Sequence, residues 1–519
     1  METWFLIIVT ACLAALLRAF LSLKPKLKLP PGPPAAPIIS GLQWLGKSST
    51  EMEAALRRLY SKYGPIVRIT IGSRSAIFIS SRDLAHQALV LKGAIFADRP
   101  KQSPVTKLLN VSSSRYGPTW RILRRNLTSQ ILHPSQTKEY CDARKWALNI
   151  LFTRLISAAS TDPAVKVVDH IMFTLFCLLV LMCFGHKLEE SKIQEIEHVE
   201  RQLLLSFVRF RILGSWPRLT RILLRSRWEE LFSLWKKQKE LLAPLIRARK
   251  DAADDQTSKL VTCYVDTLLG LEIQDDQSNE KRKLTEEEMV TACSEFLDGG
   301  IETTATVMQW IMANLVKYPN IQAKLLDEIR GVVGAEAQVR EEDLAKMPYL
   351  KAVVLEGLRR HPPGHFVLPH SVSQDVELGG YLVPKAAFVN FAVAEMNWDP
   401  KVWEDPMEFK PERFLSDNGS GGPAEFDITG SREIKMLTFG AGRRICPGYG
   451  LAIHHLEYFV ANLVWKFEWT AAEGHEVDLT EKQEFTITMK HPLQARISPR
   501  QKLIPDYKMS VPEPLLWNP

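Results

Sequence analysis

Apolar residues dominate the first 23 positions of the chain, and basic residues follow at once. Only Glu2 and Arg18 interrupt residues 1–23, and about 20 apolar residues are enough for a helix to span a bilayer. Lysines at positions 24, 26 and 28 keep that end in the cytosol by the positive-inside tendency. We therefore expect a transmembrane anchor over residues 1–23. A cleaved signal peptide is the alternative, although basic residues before the apolar run and a clear small-residue cleavage site are both missing.

Prolines fill the segment that follows the apolar run. Residues 29–34 read Leu-Pro-Pro-Gly-Pro-Pro, and prolines this dense favour an extended, stiff spacer that cannot continue a helix. We therefore interpret residues 24–36 as a basic, proline-rich hinge between the anchor and the globular part.

The spacing of apolar residues predicts helices and a small sheet in the first part of the globular region. Residues 56–63 have helical periodicity, and residues 66–80 alternate as strands do, with a turn at 72–75. A helix is expected to begin near Pro118. Trp120 and Arg124 are four positions apart on it, so they share one face.

The middle of the chain contains a second apolar run and a basic amphipathic region. Residues 171–184 are apolar but too few to span a bilayer, which predicts a buried core helix. Residues 203–235 mix apolar residues with arginines and predict two helices joined near Trp216 and Pro217. These helices could touch the membrane interface or simply form an amphipathic surface pair. The charged segment 274–283 is expected to be a mobile loop.

The longest predicted helix begins at a capping box formed by Thr285 and Glu288 and runs to about residue 318. It contains adjacent glycines, Gly299 and Gly300, which cost about 1 kcal/mol each relative to alanine. A helix of this length would avoid them unless something must approach its backbone closely. A kink that serves packing is the alternative.

Composition narrows the class of protein without identifying it. The 519 residues are 46% hydrophobic and 24% charged, with a formal net charge of +7, which is a normal globular balance with ample core. Clustered positive charge could attract an anionic membrane or an acidic partner, or it could be ordinary surface. No basic tract with interleaved aromatic residues points to nucleic acid. The seven cysteines are scattered without a Cys-x-x-Cys, which fits a reducing compartment and excludes a disulfide scaffold.

One of these cysteines, Cys446, has a reactive setting. Residues 439–448 surround it with three glycines, which allow a tight turn and close approach. The neighbouring Arg443 and Arg444 are expected to favour thiolate over thiol. Helical spacing downstream places Cys446 at a helix N-terminus, which also favours an anionic sulfur. Such a thiolate is a nucleophile or a metal ligand, whereas the alternative is a structural cysteine in a glycine-rich loop.

The segment resembles the haem-binding signature of the cytochrome P450 family, Phe-x-x-Gly-x-Arg-x-Cys-x-Gly. Every fixed position is filled, by Phe439, Gly442, Arg444, Cys446 and Gly448.

Other segments resemble further motifs of the same family, in the family's order. Residues 299–304 are similar to the oxygen-activation motif, with Glu302 as its acid. Glu356 and Arg359, followed by residues 411–414, resemble the paired motifs that lock the fold through a buried network with Arg413. Segments 116–121, 357–363 and 439–444 read like plant microsomal members, of the subfamily numbered eighty-nine and its near neighbour seventy-seven.

This resemblance implies a mainly α fold with a small β-rich lobe, in which residues 37–519 form a single catalytic domain. It implies haem b, iron protoporphyrin IX, with the iron axially ligated by Cys446. The haem-binding residues that it implies are Cys446, Trp120, Arg124, His370, Phe439, Arg444 and Gly448. Of these, Trp120, Arg124, Arg444 and His370 would face the propionates, although a lone histidine such as His370 is more often structural. Thr303 and Glu302, beside Gly300, would handle dioxygen and its protons.

The resemblance also implies a monooxygenase that inserts one oxygen atom from O2 into a lipophilic organic substrate. Its partners would be an NADPH-cytochrome P450 reductase and the membrane, with no nucleic acid. The expected location is the endoplasmic reticulum membrane, single-pass, with the catalytic domain facing the cytosol. Two alternatives remain: a haem-thiolate isomerase or dehydratase that needs no reductase, and a non-catalytic haem- or lipid-binding membrane protein. Retention of Glu302 and Thr303 argues against the isomerase, because such relatives usually lose this pair.

Overall fold

The structure is a computed structural model of the 519-residue chain. It describes residues 27–34, 49–71, 74–100, 109–210, 213, 217–254, 262–274, 280–334, 338–416, 426–474 and 476–500. The predicted anchor at residues 1–23 and both ends of the predicted hinge, residues 24–26 and 35–36, lie outside the described residues.

The described helices are α1 Ser49–Tyr63, α2 Arg82–His86, α3 Gly93–Phe96, α4 Pro118–Asn126, α5 Pro134–Glu139, α6 Cys141–Thr161, α7 Val167–Phe184, α8 Glu190–Arg209, α9 Pro217–Leu223, α10 Arg225–Asp254, α11 Tyr264–Leu269, α12 Glu286–Lys317, α13 Pro319–Val333, α14 Pro348–Arg360, α15 Val393–Asn397 and α16 Tyr449–Lys466. The described strands are β1 Ile66–Ile71, β2 Arg74–Ile79, β3 Val165–Lys166, β4 Glu272–Gln274, β5 Lys281–Lys283, β6 His370–Ser371, β7 Val376–Leu378, β8 Tyr381–Val383, β9 Phe388–Phe391, β10 Phe467–Ala471, β11 Glu481–Gln483, β12 Ile487–Met489 and β13 Gln494–Pro499.

The chain divides into two compact units, of which the smaller comprises Met1–Pro100 and Pro369–Phe391. This smaller unit contains a four-stranded sheet in the order β1-β2-β9-β6. Strands β1 and β2 pair antiparallel, as the alternation in the sequence predicted, and β9 joins β2 in parallel. The β-rich lobe expected from the resemblance is therefore present.

The proline-rich segment lies against strand β1 of the smaller unit. The Arg68 N–H donates to the Pro31 carbonyl oxygen over 2.8 Å, and the Leu382 N–H donates to Lys28 over 2.9 Å. A Cβ at Gly32 would come 1.8 Å from the Arg68 carbonyl oxygen, so only glycine fits there. The proline-rich segment that we expected to form a spacer is thus bonded to β1 at Pro31 and to β8 at Lys28.

The larger unit, Lys101–Leu368 and Ala392–Pro519, is built around α12. From Ala305 to Val316 every residue of this helix is buried. The capping box is confirmed, because the Thr285 hydroxyl accepts from the Glu288 N–H while the Glu288 carboxylate accepts from the Thr285 N–H. The helix ends at Lys317, immediately before the proline-capped α13, as predicted.

Helix α7 packs against α12 and contains the predicted core segment, although it begins four residues earlier, at Val167. Among the described helices it is the one that is long and apolar enough to cross a membrane, with a mean hydropathy of 2.3. Because 78% of that stretch is buried inside the protein, it has the character of a core helix. A Cβ at Gly300 of α12 would lie 2.3 Å from Leu179 of α7, so Gly300 permits the close approach of these two helices.

Two expectations for the middle of the chain need correction. Residues 203–235 contain parts of three helices, because α9 forms between α8 and α10 where only a connection was expected. Residues 274–283 are not wholly a loop: β4 and β5 pair antiparallel on either side of residues 275–279. An Arg282–Glu288 pair at 2.7 Å ties this hairpin to the start of α12, an interaction between local neighbours that hydrophobic periodicity does not reveal.

The predicted buried network is confirmed within the larger unit. Glu356 and Arg359 are fully buried and their side chains meet at 2.7 Å, while Arg413 approaches Glu356 at 3.2 Å. The Lys410 N–H also donates to the Glu356 carboxylate over 2.8 Å. Because each charge has its partners inside the protein, this cluster fixes α14 against the segment that follows residue 400.

Candidate active site

The segment before Cys446 folds into a compact turn whose shape depends on two glycines. Gly440 and Gly442 have φ angles of +69° and +67°, a left-handed conformation that residues with a side chain rarely adopt. The chain then closes on itself, because the Cys446 N–H donates to the Phe439 carbonyl oxygen over 2.8 Å. Gly448, the N-cap of α16, has a φ of −96°, so the turn itself does not require glycine at that position.

Cys446 lies at the N-terminal end of α16, as predicted, and the residue as a whole is half-buried. Burial raises the pKa of this thiol, while the Gly448 N–H bonded to the sulfur and the charge of Arg124 act to lower it. Arg443 and Arg444, which the sequence predicted would favour the thiolate, point elsewhere. Arg443 donates to the Tyr116 hydroxyl over 2.7 Å, so Arg124 is the cation that acts on Cys446.

Two residues with predicted propionate contacts, Trp120 and Arg444, meet at the loop that precedes α4, and a third, Arg124, reaches the residue before Cys446. Trp120 Nε1 and Arg444 Nη1 both donate to the Val111 carbonyl oxygen, over 3.0 and 2.9 Å. The Arg444 guanidinium lies 4.4 Å from the centre of the Trp120 ring. Arg124 Nη2 donates to the Ile445 carbonyl oxygen over 2.7 Å, next to the cysteine. The structure therefore brings all three side chains to the Cys446 turn, and their contact with a propionate stays a prediction.

The middle of α12 presents a second set of predicted residues. Gly299 is exposed although the helix around it is largely buried, and a Cβ there would meet no atom within 4 Å. The Thr303 hydroxyl donates to the Gly299 carbonyl oxygen over 2.8 Å. Open space thus lies beside Gly299, whereas the adjacent Gly300 is accounted for by helix packing. A catalytic part for Gly300 stays a prediction.

Glu302 is buried, and it faces a different direction from Thr303. Burial raises the pKa of its carboxyl, while the charge of Arg201 and a hydrogen bond from Thr486 act to lower it. Arg201 lies on α8 and Thr486 lies between β11 and β12. Glu302 therefore lies between α8 and the β11–β12 connection, and the sequence alone does not predict that these elements meet.

Sequence reasoning missed Glu295, which shapes the site without belonging to any of the motifs. Its carboxylate accepts from the Val111 N–H over 2.8 Å and from the Ser112 N–H over 2.6 Å. Because Val111 is also the acceptor for Trp120 and Arg444, Glu295 links α12 to the group of side chains around Cys446. A lone glutamate on a helix does not reveal, in a single sequence, that it binds the backbone of a distant loop.

Asn397 was also missed, and it anchors the start of the cysteine turn. The buried side chain accepts from the Leu437 N–H and donates to the Thr438 hydroxyl, both over 2.8 Å. Thr438 in turn donates to the Leu358 carbonyl oxygen of α14 over 2.8 Å. Since Phe439 follows directly, these bonds tie the cysteine turn to the helix that carries Glu356.

His370 belongs to the smaller unit and is buried there. Its Nδ1 lies 2.7 Å from the Phe96 carbonyl oxygen, and its ring packs edge-on to Phe391 with centroids 5.6 Å apart. These contacts account for a structural role of His370, and its predicted contact with a propionate stays a prediction.

Comparison with known proteins identifies the family. The profile described as Cytochrome P450 matches residues 30–497. The chain belongs to the cytochrome P450 family. Cytochrome P450 89A9 of Arabidopsis thaliana is 49% identical over 493 residues, which cover 92% of this chain and 94% of that protein. This P450 is accordingly a plant member of the 89 type.

More distant relatives support the same family assignment. The Flavonoid 3'-monooxygenase of Arabidopsis thaliana is 28% identical over 488 residues, 92% of this chain and 93% of that protein. A solved structure of a zebra fish cytochrome P450 with progesterone superimposes with a TM-score of 0.72 at 25% identity, covering 86% of this chain and 99% of that one. The P450 fold is therefore confirmed, mostly helical with small sheets, and the protein is a haem-thiolate monooxygenase of plant metabolism.

The family uses a cysteine-ligated haem iron, and the residues of this chain fit such a group. The Cys446 sulfur already receives an N–H from Gly448, as a thiolate ligand would need. The Arg124 guanidinium stands beside it. Gly299 leaves open space on the helix that carries Thr303.

Proposed function

We propose that Cys446 would bind the iron of haem b in a membrane-anchored monooxygenase that oxidises a lipophilic substrate with electrons from an NADPH-cytochrome P450 reductase. The observation that carries this proposal is the setting of the Cys446 sulfur, at a helix N-terminus beside Arg124 and the Gly448 N–H. When bound, haem supplies the activation of dioxygen.

The protein's own residues divide the remaining work. Arg124, Trp120 and Arg444 would hold the haem carboxylates, to which arginine is well matched, and a contact of His370 with a propionate stays a prediction. Phe439 and Gly448 flank the ligand turn. Thr303, whose hydroxyl is oriented by the Gly299 carbonyl oxygen, passes protons to the oxygen side of the site.

Glu302 would link this proton relay to water in this proposal, and Gly300 lets α12 keep its place beside α7. The raised pKa of the buried Glu302 carboxyl means that it holds a proton to a higher pH than an exposed glutamate would. That property suits a residue that must both take up and release protons.

Membrane attachment is supported by the sequence of residues 1–23 and by an exposed apolar surface. On α9, Leu219, Ile222 and Leu223 are 54%, 78% and 68% exposed. Arg221 lies on the same helix, and Arg225 follows at the start of α10. Leucine and isoleucine beside arginine favour a membrane interface, which fits a catalytic domain on the cytosolic face of the endoplasmic reticulum.

Reduced protein treated with carbon monoxide gives the direct test. The wild type and Cys141→Ser, a control at an exposed cysteine, should both give the thiolate-type absorbance, whereas Cys446→Ser should lose it. Reconstitution with a plant reductase and a plant extract should then yield products that gain one oxygen atom, and Thr303→Ala should divert electrons to hydrogen peroxide. A thiolate-type spectrum that survives in Cys446→Ser would overturn the ligand assignment.

A further inference from the structure

A tight turn at residues 110–114 is held from both sides by charged side chains. Its amide side faces α12, where the Glu295 carboxylate accepts from the Val111 N–H over 2.8 Å and from the Ser112 N–H over 2.6 Å. Each oxygen of the carboxylate takes one of these N–H groups. A contact at two points fixes the orientation of the turn as well as its distance from the helix.

The carbonyl side of the same turn faces the segment before Cys446. Arg444 Nη1 donates to the Val111 carbonyl oxygen over 2.9 Å, and Arg444 Nη2 donates to the Ser114 carbonyl oxygen over 2.7 Å. Because the N–H groups of a guanidinium form a rigid, planar fork, bonds from both terminal nitrogens set the plane of the Arg444 head group. The guanidinium also packs on the Trp120 ring, 4.4 Å from its centre.

One peptide group joins the two sides of the turn. The Ser112 N–H and the Val111 carbonyl belong to the same trans peptide unit, which is planar, so the N–H and the carbonyl oxygen point in opposite directions. Fixing the N–H at Glu295 therefore fixes the direction of the oxygen that Arg444 and Trp120 contact. The bond to the carboxylate also polarises the peptide group and makes that oxygen a better acceptor.

We propose that Glu295 is a positioning residue for haem binding, which acts through the peptide group between residues 111 and 112 to orient the Arg444 guanidinium. The inference rests on the proposed function, in which Arg444 would hold a haem carboxylate. Glu295 itself would touch neither the haem nor the substrate. Loss of its two bonds should therefore speed the release of haem beyond what a loss of stability alone would cause.

The chain offers a matched control, because Glu328 makes the same pair of bonds at another place. Glu328, on α13, accepts from the Tyr349 N–H over 2.7 Å and from the Leu350 N–H over 2.8 Å, at the start of α14. In either glutamate, a change to glutamine keeps the size and one acceptor oxygen, and it replaces the other oxygen by an N–H donor that faces a backbone N–H. Similar losses of stability with unequal losses of haem would therefore separate positioning from packing.

Haem release is measured by mixing the haem-loaded, full-length protein with excess apomyoglobin, which captures ferric haem as it dissociates. Glu295→Gln should release haem about tenfold faster than the wild type, the size expected for an unmade hydrogen bond. Glu328→Gln should stay within about twofold of the wild type. Urea unfolding should show a similar loss of stability in the two variants. The resonance Raman bands of the propionates, which respond to hydrogen bonding, should shift in Glu295→Gln and stay in place in Glu328→Gln.

A double-mutant cycle tests whether Glu295 acts through Arg444. Arg444→Lys keeps the charge but cannot bond two carbonyl oxygens in one plane, and it should itself release haem about tenfold faster. Adding Glu295→Gln to Arg444→Lys should then change the release rate by less than about twofold, because residues that act through one another are not additive. Should Glu295→Gln fail to fold, Glu295→Asp takes its place with the same expectations, since its carboxylate is one methylene too short to keep both bonds.

The outcomes separate this inference from the function on which it rests. A wild type without the thiolate-type carbon monoxide spectrum would overturn the proposed function, and the inference with it. A normal wild-type spectrum with equal haem release from Glu295→Gln and Glu328→Gln would overturn the positioning role alone. An undiminished effect of Glu295→Gln in the Arg444→Lys background would do the same, and the monooxygenase assignment would stand in both cases.

Discussion

Replacing Asn397 by alanine should weaken the attachment of the cysteine turn to the rest of the larger unit. The fully buried side chain supplies an acceptor for the Leu437 N–H and a donor for the Thr438 hydroxyl. Alanine supplies neither, and the Leu437 N–H is left buried without a partner. An unmade bond of this kind costs about 1–3 kcal/mol, and the lost bond to Thr438 adds about 1 kcal/mol. We expect the free energy of unfolding to fall by about 2–4 kcal/mol.

The effect should also reach the haem ligand, because Thr438 is followed directly by Phe439, whose carbonyl oxygen holds the Cys446 N–H. Urea unfolding followed by tryptophan fluorescence measures the loss of stability. The fraction of thiolate-type carbon monoxide complex, measured at rising urea, reports on the cysteine turn. This fraction should fall at lower urea concentration in Asn397→Ala than in the wild type.

Asn462→Ala is the matched control, because this asparagine is equally buried but lies away from the turn. Its Nδ2 donates to the Tyr458 carbonyl oxygen of the same helix over 2.9 Å. The control should lose about 1 kcal/mol and should keep the thiolate-type fraction in step with global unfolding. If Asn397→Ala behaves like Asn462→Ala in both measurements, Asn397 does not anchor the turn.

Three further predictions concern Gly300 and Gly299 of α12 and His361 at the end of α14. Gly300→Ala gains about 1 kcal/mol in helix propensity, but the new methyl group pushes into buried Leu179, at a cost of about 1–3 kcal/mol. Thermal unfolding should therefore show a net loss of stability. The same Gly300→Ala change should cause no such loss when it is made in a Leu179→Ala background. A Cβ at residue 299 would meet no atom, so Gly299→Ala should not lower the melting temperature; destabilisation by Gly299→Ala would contradict the open space. His361 is buried with its pKa lowered from 6.5 to about 4, so the unfolded state binds more protons between these pH values. The free energy of unfolding should therefore fall by roughly 3 kcal/mol as the pH drops from 6.5 to 4, and His361→Gln should flatten that dependence; an equally steep fall in the variant would show that other groups cause it.

Elements set by local pattern were predictable from the sequence. The capping box at Thr285, the apolar run within α7 and the alternation in β1 and β2 each depend on neighbours a few positions apart. The signature around Cys446 fixed the family, because five spaced residues define one chemistry. The ends of the helices were predicted less accurately than their existence. Helix α9 was missed because its seven residues lie within a stretch where arginines obscure the hydrophobic periodicity.

Contacts between distant segments could not be predicted from one sequence. Asn397 and Leu437 are 40 positions apart, and Glu295 and Val111 are 184 positions apart. The thiolate argument failed for Arg443 and Arg444 for the same reason: closeness in sequence did not determine which cation acts on Cys446. Arg124, more than 300 positions away, takes that place.

The adjacent glycines of α12 show how packing and chemistry are combined on one helix. Gly300 lacks a side chain where Leu179 approaches, so α7 can hold α12 firmly. Gly299 lacks one beside open space, next to the carbonyl oxygen that orients the Thr303 hydroxyl. Each omission costs helix propensity, about 1 kcal/mol per glycine, and the dense packing of the rest of α12 offsets that cost. The sequence led us to expect one close approach to this pair of glycines. The structure instead gives them different surroundings: a neighbouring helix packs on Gly300, and open space lies beside Gly299 and Thr303.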